Sequence, residues 1–362
     1  MRKTTQILWH VLFFGIIVLI PFTYMFMKNK LNNENSENRE LAKFPVFSLE
    51  EFDRFPSGIT AFIDDNFPYK NQAVSAIGLT EFNIFNTSRN EDVIIGKNDY
   101  LFFKGEEFNA YNQYKRIIPF NQEELEIVAD RLNHMKEKTE ANNAEFILFI
   151  VPNKERVYSE YMPSNINVAD CNTNTEELVE FIRNNTDINI IFCNDALMNA
   201  KEIYGNDISL YYKLDTHWNE LGAYAGSKEL FKALNIDVPE LNELEIEKTD
   251  YSPCDLAGLI GIKSKLKNKD YGIEIKNIKD DFETVTEETD GLLEYKNTGK
   301  DERRLMFIRD SFTLNMRRFF ADNFNYCYLQ HVNFYDEAQI DEVKPDVVVY
   351  ETSERSLRKL LD

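Results

Sequence analysis

No two cysteines in this chain stand in a CxxC spacing, and histidine is scarce, with four in 362 residues. The cysteines lie singly at 171, 193, 254 and 327, which argues against a zinc cluster. One bridge in an oxidising compartment is open to them, with Cys171 and Cys193 the candidate pair across an expected helix and strand. Positive charge is short as well. Lys and Arg number 41 against 62 Asp and Glu, a formal net charge of −21. Nucleic acid is therefore not an expected partner, because neutralising phosphates takes clustered cations, and lying flat on an anionic lipid surface is disfavoured too. There is no Walker motif, no GxGxxG after a strand and no His-rich ligand set, so no metal or other cofactor is expected. No internal repeat is visible.

What is present is apolar. Hydrophobic residues make up 43% of the chain, including 28 Phe and 18 Tyr, enough for a sizeable aromatic-rich core. From Thr4 to Met27 no residue carries a full charge, and a bilayer core takes about 20 such residues in a helix. Arg2 and Lys3 before it favour a cytoplasmic N-terminus, while Lys28 and Lys30 beyond it pull the other way. A cleaved signal peptide is the rival reading, but the segment is long for one and ends without a small-residue cleavage site. A buried core helix is the third. The expectation is an uncleaved anchor over 1–30, a polar linker over 31–43 and a domain over 44–362 on the extracytoplasmic side.

Within that domain, Asn121 to Asn142 carries Leu125, Val128, Leu132 and Met135 at helical spacing. The apolar run Glu145 to Val151 then reads as a buried strand. The alternation recurs: helices over Thr175–Asn184, Asn219–Leu234, Thr313–Ala321 and Ser353–Leu361, and strands over Ile188–Phe192, Leu305–Ile308, Asn325–Leu329 and Asp346–Tyr350. This pattern predicts an α/β fold, three layers with a mostly parallel sheet covered on both faces. Active groups in such folds gather at the carboxyl ends of the strands. Residues 264–300, rich in Lys, Asp, Glu and Thr, read as a solvated insertion.

Two segments can carry chemistry. In Leu214-Asp215-Thr216-His217-Trp218-Asn219, residues two apart in extended chain face the same way, so Asp215 can orient the His217 imidazole. Of the other histidines, His10 lies in the anchor, His134 on a charged helix, and His331 has no carboxylate two residues away. In Leu305-Met306-Phe307-Ile308-Arg309-Asp310-Ser311-Phe312, Ser311 falls where an apolar strand turns into a helix. There a hydroxyl can be exposed beside backbone N–H groups that face a developing oxyanion, and it needs a base such as His217 to become a nucleophile. Each segment also has an ordinary reading. A Ser at a helix start is most often an N-cap, and an Asp-x-His pair can be a satisfied surface pair.

The order of several segments resembles the AlgJ/AlgX-like alginate O-acetyltransferases, a DHHW-type branch of the SGNH hydrolase superfamily. These are Arg39-Glu-Leu-Ala-Lys-Phe-Pro, Gly96-Lys-Asn-Asp-Tyr-Leu-Phe-Phe, Val151-Pro-Asn-Lys-Glu-Arg-Val-Tyr, Asp215-Thr-His-Trp-Asn-Glu-Leu-Gly-Ala, Asp255-Leu-Ala-Gly-Leu-Ile-Gly, Arg309-Asp-Ser-Phe and Lys344-Pro-Asp-Val-Val-Val-Tyr-Glu-Thr-Ser-Glu-Arg. The resemblance implies an SGNH-like fold with Ser311 as nucleophile, His217 as base and Asp215 as its partner. It implies acetyl transfer to a cell-envelope polysaccharide through an acetyl-serine, beside a multi-spanning membrane O-acyltransferase that supplies acetyl groups. It makes the Ser311 N–H one oxyanion donor and Asn153 a candidate second, with a loop residue capping a turn as the alternative for Asn153. Lys154, Trp218, Arg309, Glu351 and Arg355 are candidates for substrate contact or for structure, and Glu354 shares that ambiguity. An acetylesterase with the same triad and a non-catalytic assembly partner of the acyltransferase are the alternative functions.

Overall fold

The computed structural model describes residues 2–27, 40–48, 52–105, 108–205, 207–250, 254–266, 269–298 and 301–361. Lys28, Lys30, Arg39 and most of the expected linker lie outside the described residues. The chain divides into two compact units, 1–90 with 257–266, and 91–256 with 267–362. The stretch expected as one domain from residue 44 onward is thus shared between them.

The first unit is helical. Helix α1 (Arg2–Met27) includes Thr5–Met27, which is long and apolar enough to cross a bilayer. Helices α2 (Phe55–Asn66) and α3 (Lys70–Thr80) follow. At Gly78 a side chain would stand 2.3 Å from the Ile260 carbonyl oxygen, so only glycine permits α3 this close an approach to the 257–266 segment. Ser75 Oγ seals the contact by donating to Gly261 O at 2.6 Å.

The second unit is built on one seven-stranded sheet. Its strands are β1 (Glu145–Val151), β2 (Asn189–Phe192), β3 (Glu283–Thr289), β4 (Leu292–Lys296), β5 (Asp301–Arg309), β6 (Phe324–His331) and β7 (Val347–Ser353). The spatial order is β2-β1-β7-β5-β6-β4-β3. From β2 to β6 neighbours are parallel, whereas β4 pairs antiparallel with β6 and β3 antiparallel with β4. The sheet is therefore mixed, with four parallel and two antiparallel pairings. The antiparallel ones arise in 264–300, which was expected as a solvated insertion and supplies two strands of the sheet. Its β3–β4 hairpin extends the sheet, and Leu293 and Tyr295 are buried in the core. Strand β3 is nearly all exposed, so its polar composition is that of an edge strand.

Alternation along β1 builds both cores. Ile147, Phe149 and Val151 join one cluster with Trp218, Tyr224 and Phe231, while Phe146, Leu148 and Ile150 join the other with Val128, Leu132, Leu178 and Ile182. The second face is covered by α4 (Gln122–Glu140) and α5 (Asn174–Asn185), each started by a reciprocal capping box at Asn121 and Thr173. The first face is covered by α6 (Asn194–Tyr204), α7 (Glu220–Ala233) and α8 (Arg317–Asn323). The result is the expected three-layer α/β/α arrangement. A short hairpin precedes these elements in the chain, with Val93–Ile95 antiparallel to Leu101–Phe103. The expected helix over Thr313–Ala321 is split into a 3-10 turn, Phe312–Asn315, and α8. The chain closes in a 3-10 rather than an α-helix, Glu354–Leu361. All four cysteines are free. The candidate bridge does not form, because Cys171 is on the surface and Cys193 is wholly buried.

The register places the site. Ser353 stands opposite Val151, Tyr350 opposite Ile308 and His331 opposite Arg309. The parallel strands β1, β7 and β5 therefore deliver Asn153–Lys154, Glu354–Arg355 and Asp310–Ser311 to the same end of the sheet.

Candidate active site

The segment before α7 is a tight loop. Tyr211 pairs with Trp218 in an antiparallel bridge, Tyr212 N–H donates to His217 O at 3.1 Å and Asn219 N–H to Leu210 O at 2.8 Å. Asn219 then caps α7, its Oδ1 accepting from Leu221 and Gly222 N–H. Gly222 lets the helix lie against the loop, since a side chain there would stand 2.3 Å from Leu210 O. Lys154 holds the loop from inside. Its buried ammonium donates to the carbonyls of Tyr212 (3.1 Å), Lys213 (3.2 Å) and Asp215 (2.7 Å). Burial pushes its pKa down to about 8, against the opposing pull of Asp255, Asp270 and Asp215.

At the loop tip, His217 Nδ1 lies 2.7 Å from Asp215 Oδ1 and His217 Nε2 lies 2.8 Å from Ser311 Oγ. An ionised carboxylate can only accept, so Nδ1 carries the proton and Nε2 faces the serine hydroxyl as acceptor. Asp215 also accepts the N–H of His217 at 3.1 Å and that of Asp255 at 2.9 Å. Burial alone would raise the Asp215 pKa, but the hydrogen bond and charge of His217, with these two N–H groups, hold it well below the usual carboxylate range.

The Ser311 side is fixed with equal density. Asp310 Oδ1 accepts Phe312 N–H at 2.8 Å and its Oδ2 accepts Ser353 N–H at 2.9 Å. Glu351 Oε2 accepts Asp310 N–H at 2.9 Å and the Thr313 hydroxyl at 2.7 Å. The Ser311 side chain makes no capping hydrogen bond to the turn it opens. Its oxygen is turned to His217 instead, so the N-cap reading does not describe it. Trp218, fully buried, ties the two loops together, with Nε1 donating to Phe312 O at 2.9 Å and its ring edge-on to Phe312.

The remaining residues singled out from sequence take distinct places. Arg309 is buried and donates to Glu288 (3.0 Å) and to Gly291 O (3.1 Å), tying β5 to the β3–β4 hairpin. Glu354 forms a buried ion pair with Arg156 at 2.5 Å. Glu351 pairs with no cation among the described residues; burial, then the charge of Asp310, raises its pKa well above the usual value. Arg355 lays its guanidinium over the rings of Phe103, Phe108 and Phe312 at 4.9–5.6 Å. Asn153 Oδ1 accepts Arg355 N–H at 3.2 Å, and no hydrogen bond joins it to Ser311. The other histidines lie elsewhere: His10 within α1, His134 with Glu337, and His331 capping the turn after β6.

Sequence reasoning passed over Asp255 as a site residue. Its Oδ1 accepts Thr216 N–H at 2.8 Å, its Oδ2 accepts the Thr216 hydroxyl, and Oδ2 stands 3.7 Å from His217 Nδ1. Burial and the neighbouring Asp215 charge raise its pKa. Forty positions separate the two aspartates, so only their shared hydrogen bonds reveal the pair. Asp215, His217 and Asp255 also offer three ligand atoms within 4.8 Å of one another. Both ring nitrogens of His217 are already engaged, so a metal would have to displace Asp215 or Ser311.

A family model described as SGNH hydrolase-like domain, acetyltransferase AlgX, matches residues 93–320. A Pseudomonas fluorescens protein described as a probable alginate O-acetylase AlgJ is 24% identical over 209 residues, 56% of this chain and 50% of that protein. Its counterpart in Pseudomonas syringae pv. tomato is 26% identical over 184 residues, 50% of this chain and 43% of that one. The chain thus spans about half the length of the curated relatives it matches. Among solved structures, a DHHW family protein from Eubacterium siraeum is similar with a TM-score of 0.52 at 17% identity, over 74% of this chain and 97% of that one. Bacillus cereus PatB1, solved with a sulfonyl adduct, gives 0.50 at 16% identity, over 66% and 91%. At such identities these two likenesses speak to the fold.

Proposed function

The chain belongs to the family of SGNH hydrolase-like domains of the acetyltransferase AlgX type, and from that premise we propose that it is a polysaccharide O-acetyltransferase working through an acetyl-serine. The observation that carries this reading is the continuous relay Asp215–His217–Ser311, with contacts of 2.7 and 2.8 Å. In it, Ser311 Oγ attacks the carbonyl carbon of an acetyl ester as His217 Nε2 takes its proton. The tetrahedral intermediate collapses, and the leaving alkoxide receives that proton from the imidazolium. A sugar hydroxyl then gives its proton to Nε2, attacks the acetyl carbon and releases Ser311, which regains a proton. Asp215 keeps Nδ1 protonated and stabilises the imidazolium. The Ser311 N–H, at the head of the 3-10 turn, is assigned as an oxyanion donor, and such a donor contributes about 10²-fold or more.

Transfer wins over hydrolysis only if the acceptor hydroxyl is held in place against water. Helix α1 is long and apolar enough to serve as a membrane anchor; the extracytoplasmic placement and the multi-spanning acyltransferase that would deliver acetyl groups belong to the same proposal and rest on the family resemblance. The test is turnover of an activated acetyl ester with and without oligosaccharide. Acetylated sugar supports transfer; acetate alone at every sugar concentration would favour the esterase. No Ser311-dependent turnover would leave the non-catalytic role.

A further inference from the structure

A second concavity opens at the same end of the sheet. It is a cavity of about 340 Å³, lined among others by Gln113, Tyr114, Asn153, Glu155, Val168 and Asn174. Two residues, Arg355 and Phe312, link its wall to Ser311. Arg355 bonds through its backbone N–H to Asn153 of the cavity wall and lays its guanidinium over Phe312, the neighbour of Ser311.

Two groups in its wall are unspent. Asn174 is 3% exposed, and its Nδ2 is buried without a hydrogen-bond partner. Such a donor is costly to leave unmet. The Glu155 side chain is also buried and, among the described residues, is hydrogen-bonded to its own backbone N–H alone. The wall carries two cations, Arg116 and Arg156, and two carboxyl groups, Glu155 and Glu354, so its charges balance in number; Arg156 is bonded to Glu354, Glu176 and the Thr173 hydroxyl, and Arg116 donates to Cys171 O. A ligand here therefore needs no net charge; it needs hydroxyls that accept from Asn174 and donate to Glu155. Tyr114 and Val168 provide apolar surface for the faces of a ring. The volume falls at the small end of ligand sites, about 300–1,000 Å³.

We infer that this cavity is a saccharide subsite that holds a neutral, hydroxyl-rich ring of the acceptor while a neighbouring unit reaches Ser311. The inference rests on the transferase reading. Burial holds the Glu155 carboxyl at about 7, its own N–H pulling it down and the Glu354 charge pushing it up, with Arg355 and Lys154 opposing. Its protonated form, which can donate as well as accept, is therefore within reach near neutrality.

The test is calorimetric titration of the full-length Ser311→Ala protein in detergent micelles with cellotriose, mannotriose, chitotriose and, as an anionic control, trigalacturonate. We expect saturable binding of a neutral trisaccharide, weakened about tenfold by Asn174→Leu. Val168→Trp, at a position 40% exposed on the rim, blocks the cavity without touching its buried groups and should abolish binding. Silence from every neutral sugar, tighter binding of trigalacturonate, or affinity that survives both substitutions would overturn the subsite. Ester hydrolysis by the Ser311-intact protein is read separately. Hydrolysis without saccharide binding sinks the subsite alone; binding without hydrolysis sinks the catalytic reading alone.

Discussion

Replacing Asp215 by Asn keeps the shape and removes the charge. The carboxylate accepts at least three hydrogen bonds, two at Oδ1 from His217 and one at Oδ2 from Asp255 N–H. A carboxamide cannot reproduce all three. With its oxygen toward His217, its NH₂ meets the Asp255 N–H, two donors face to face, at a cost of about 1–3 kcal/mol. With the amide reversed, the NH₂ faces Nδ1, which must then give up its proton to accept. The imidazole proton moves to Nε2, and the nitrogen that should take the Ser311 proton is already occupied. Either way the imidazolium formed during attack loses its counter-charge. A wrong tautomer of this kind lowers turnover by on the order of 10⁴-fold, about 5 kcal/mol. Because the His217 contact and two N–H groups keep Asp215 ionised far below neutrality, the charge that the substitution removes is present throughout the pH range of the assay. The assay is release of 4-nitrophenol from 4-nitrophenyl acetate, with the melting temperature followed in parallel. An Asp215→Asn protein that melts like wild type and turns over within tenfold of it would refute the assigned role of the carboxylate.

Other expectations follow from the same contacts. Lys154→Met removes the donor from three carbonyls, and leaving buried acceptors unmet in this way costs about 1–3 kcal/mol. Lys154 has a folded pKa of about 8 against an ordinary value near 10.5. Between those pH values the unfolded chain binds more protons, so wild type should gain stability relative to Lys154→Met as pH rises through the window, by on the order of 3 kcal/mol. Denaturant unfolding at pH 7.5 and 10 checks the sign, and a difference that shrinks with pH would contradict it. Glu351 has its pKa raised well above the usual range, so Glu351→Gln should cost under about 1 kcal/mol, while Glu351→Leu leaves Asp310 N–H and Thr313 unmet and should cost about 2–3 kcal/mol. Equal losses in the two would show that the charge matters there. Trp218→Phe removes the donor to Phe312 O and part of a buried ring, and thermal melts should report a loss of about 2–3 kcal/mol.

The fold was largely legible because its central strands are apolar on both faces. Glu145–Val151 and its flanking helices follow directly from periodicity. The β3–β4 hairpin was misread because an edge strand exposes nearly all of Glu283–Thr289, and its composition is that of a solvated loop. The Asp215–His217 pair was legible from its spacing of two. That Ser311 joins it was not, since 94 positions separate His217 from Ser311 and only the parallel register of β5 and β7 brings the serine to that end of the sheet; the family resemblance supplied the pairing. The holding roles of Lys154, Asp255 and Glu351 depend on carbonyl and N–H groups that no side-chain pattern encodes. Trp218 looked like a motif residue, and its place is a buried bracket between the two loops that carry His217 and Ser311.

The central claim is that Ser311 carries the acetyl group between donor and acceptor. The direct measurement is the intact mass of the full-length protein, quenched in acid seconds after mixing with 4-nitrophenyl acetate, for wild type and Ser311→Ala. We expect one added acetyl on wild type, mapped to Ser311 by peptide analysis, absent from Ser311→Ala and discharged when an acceptor oligosaccharide is added. Equal ester turnover in both proteins, or an adduct that maps away from Ser311, would contradict it.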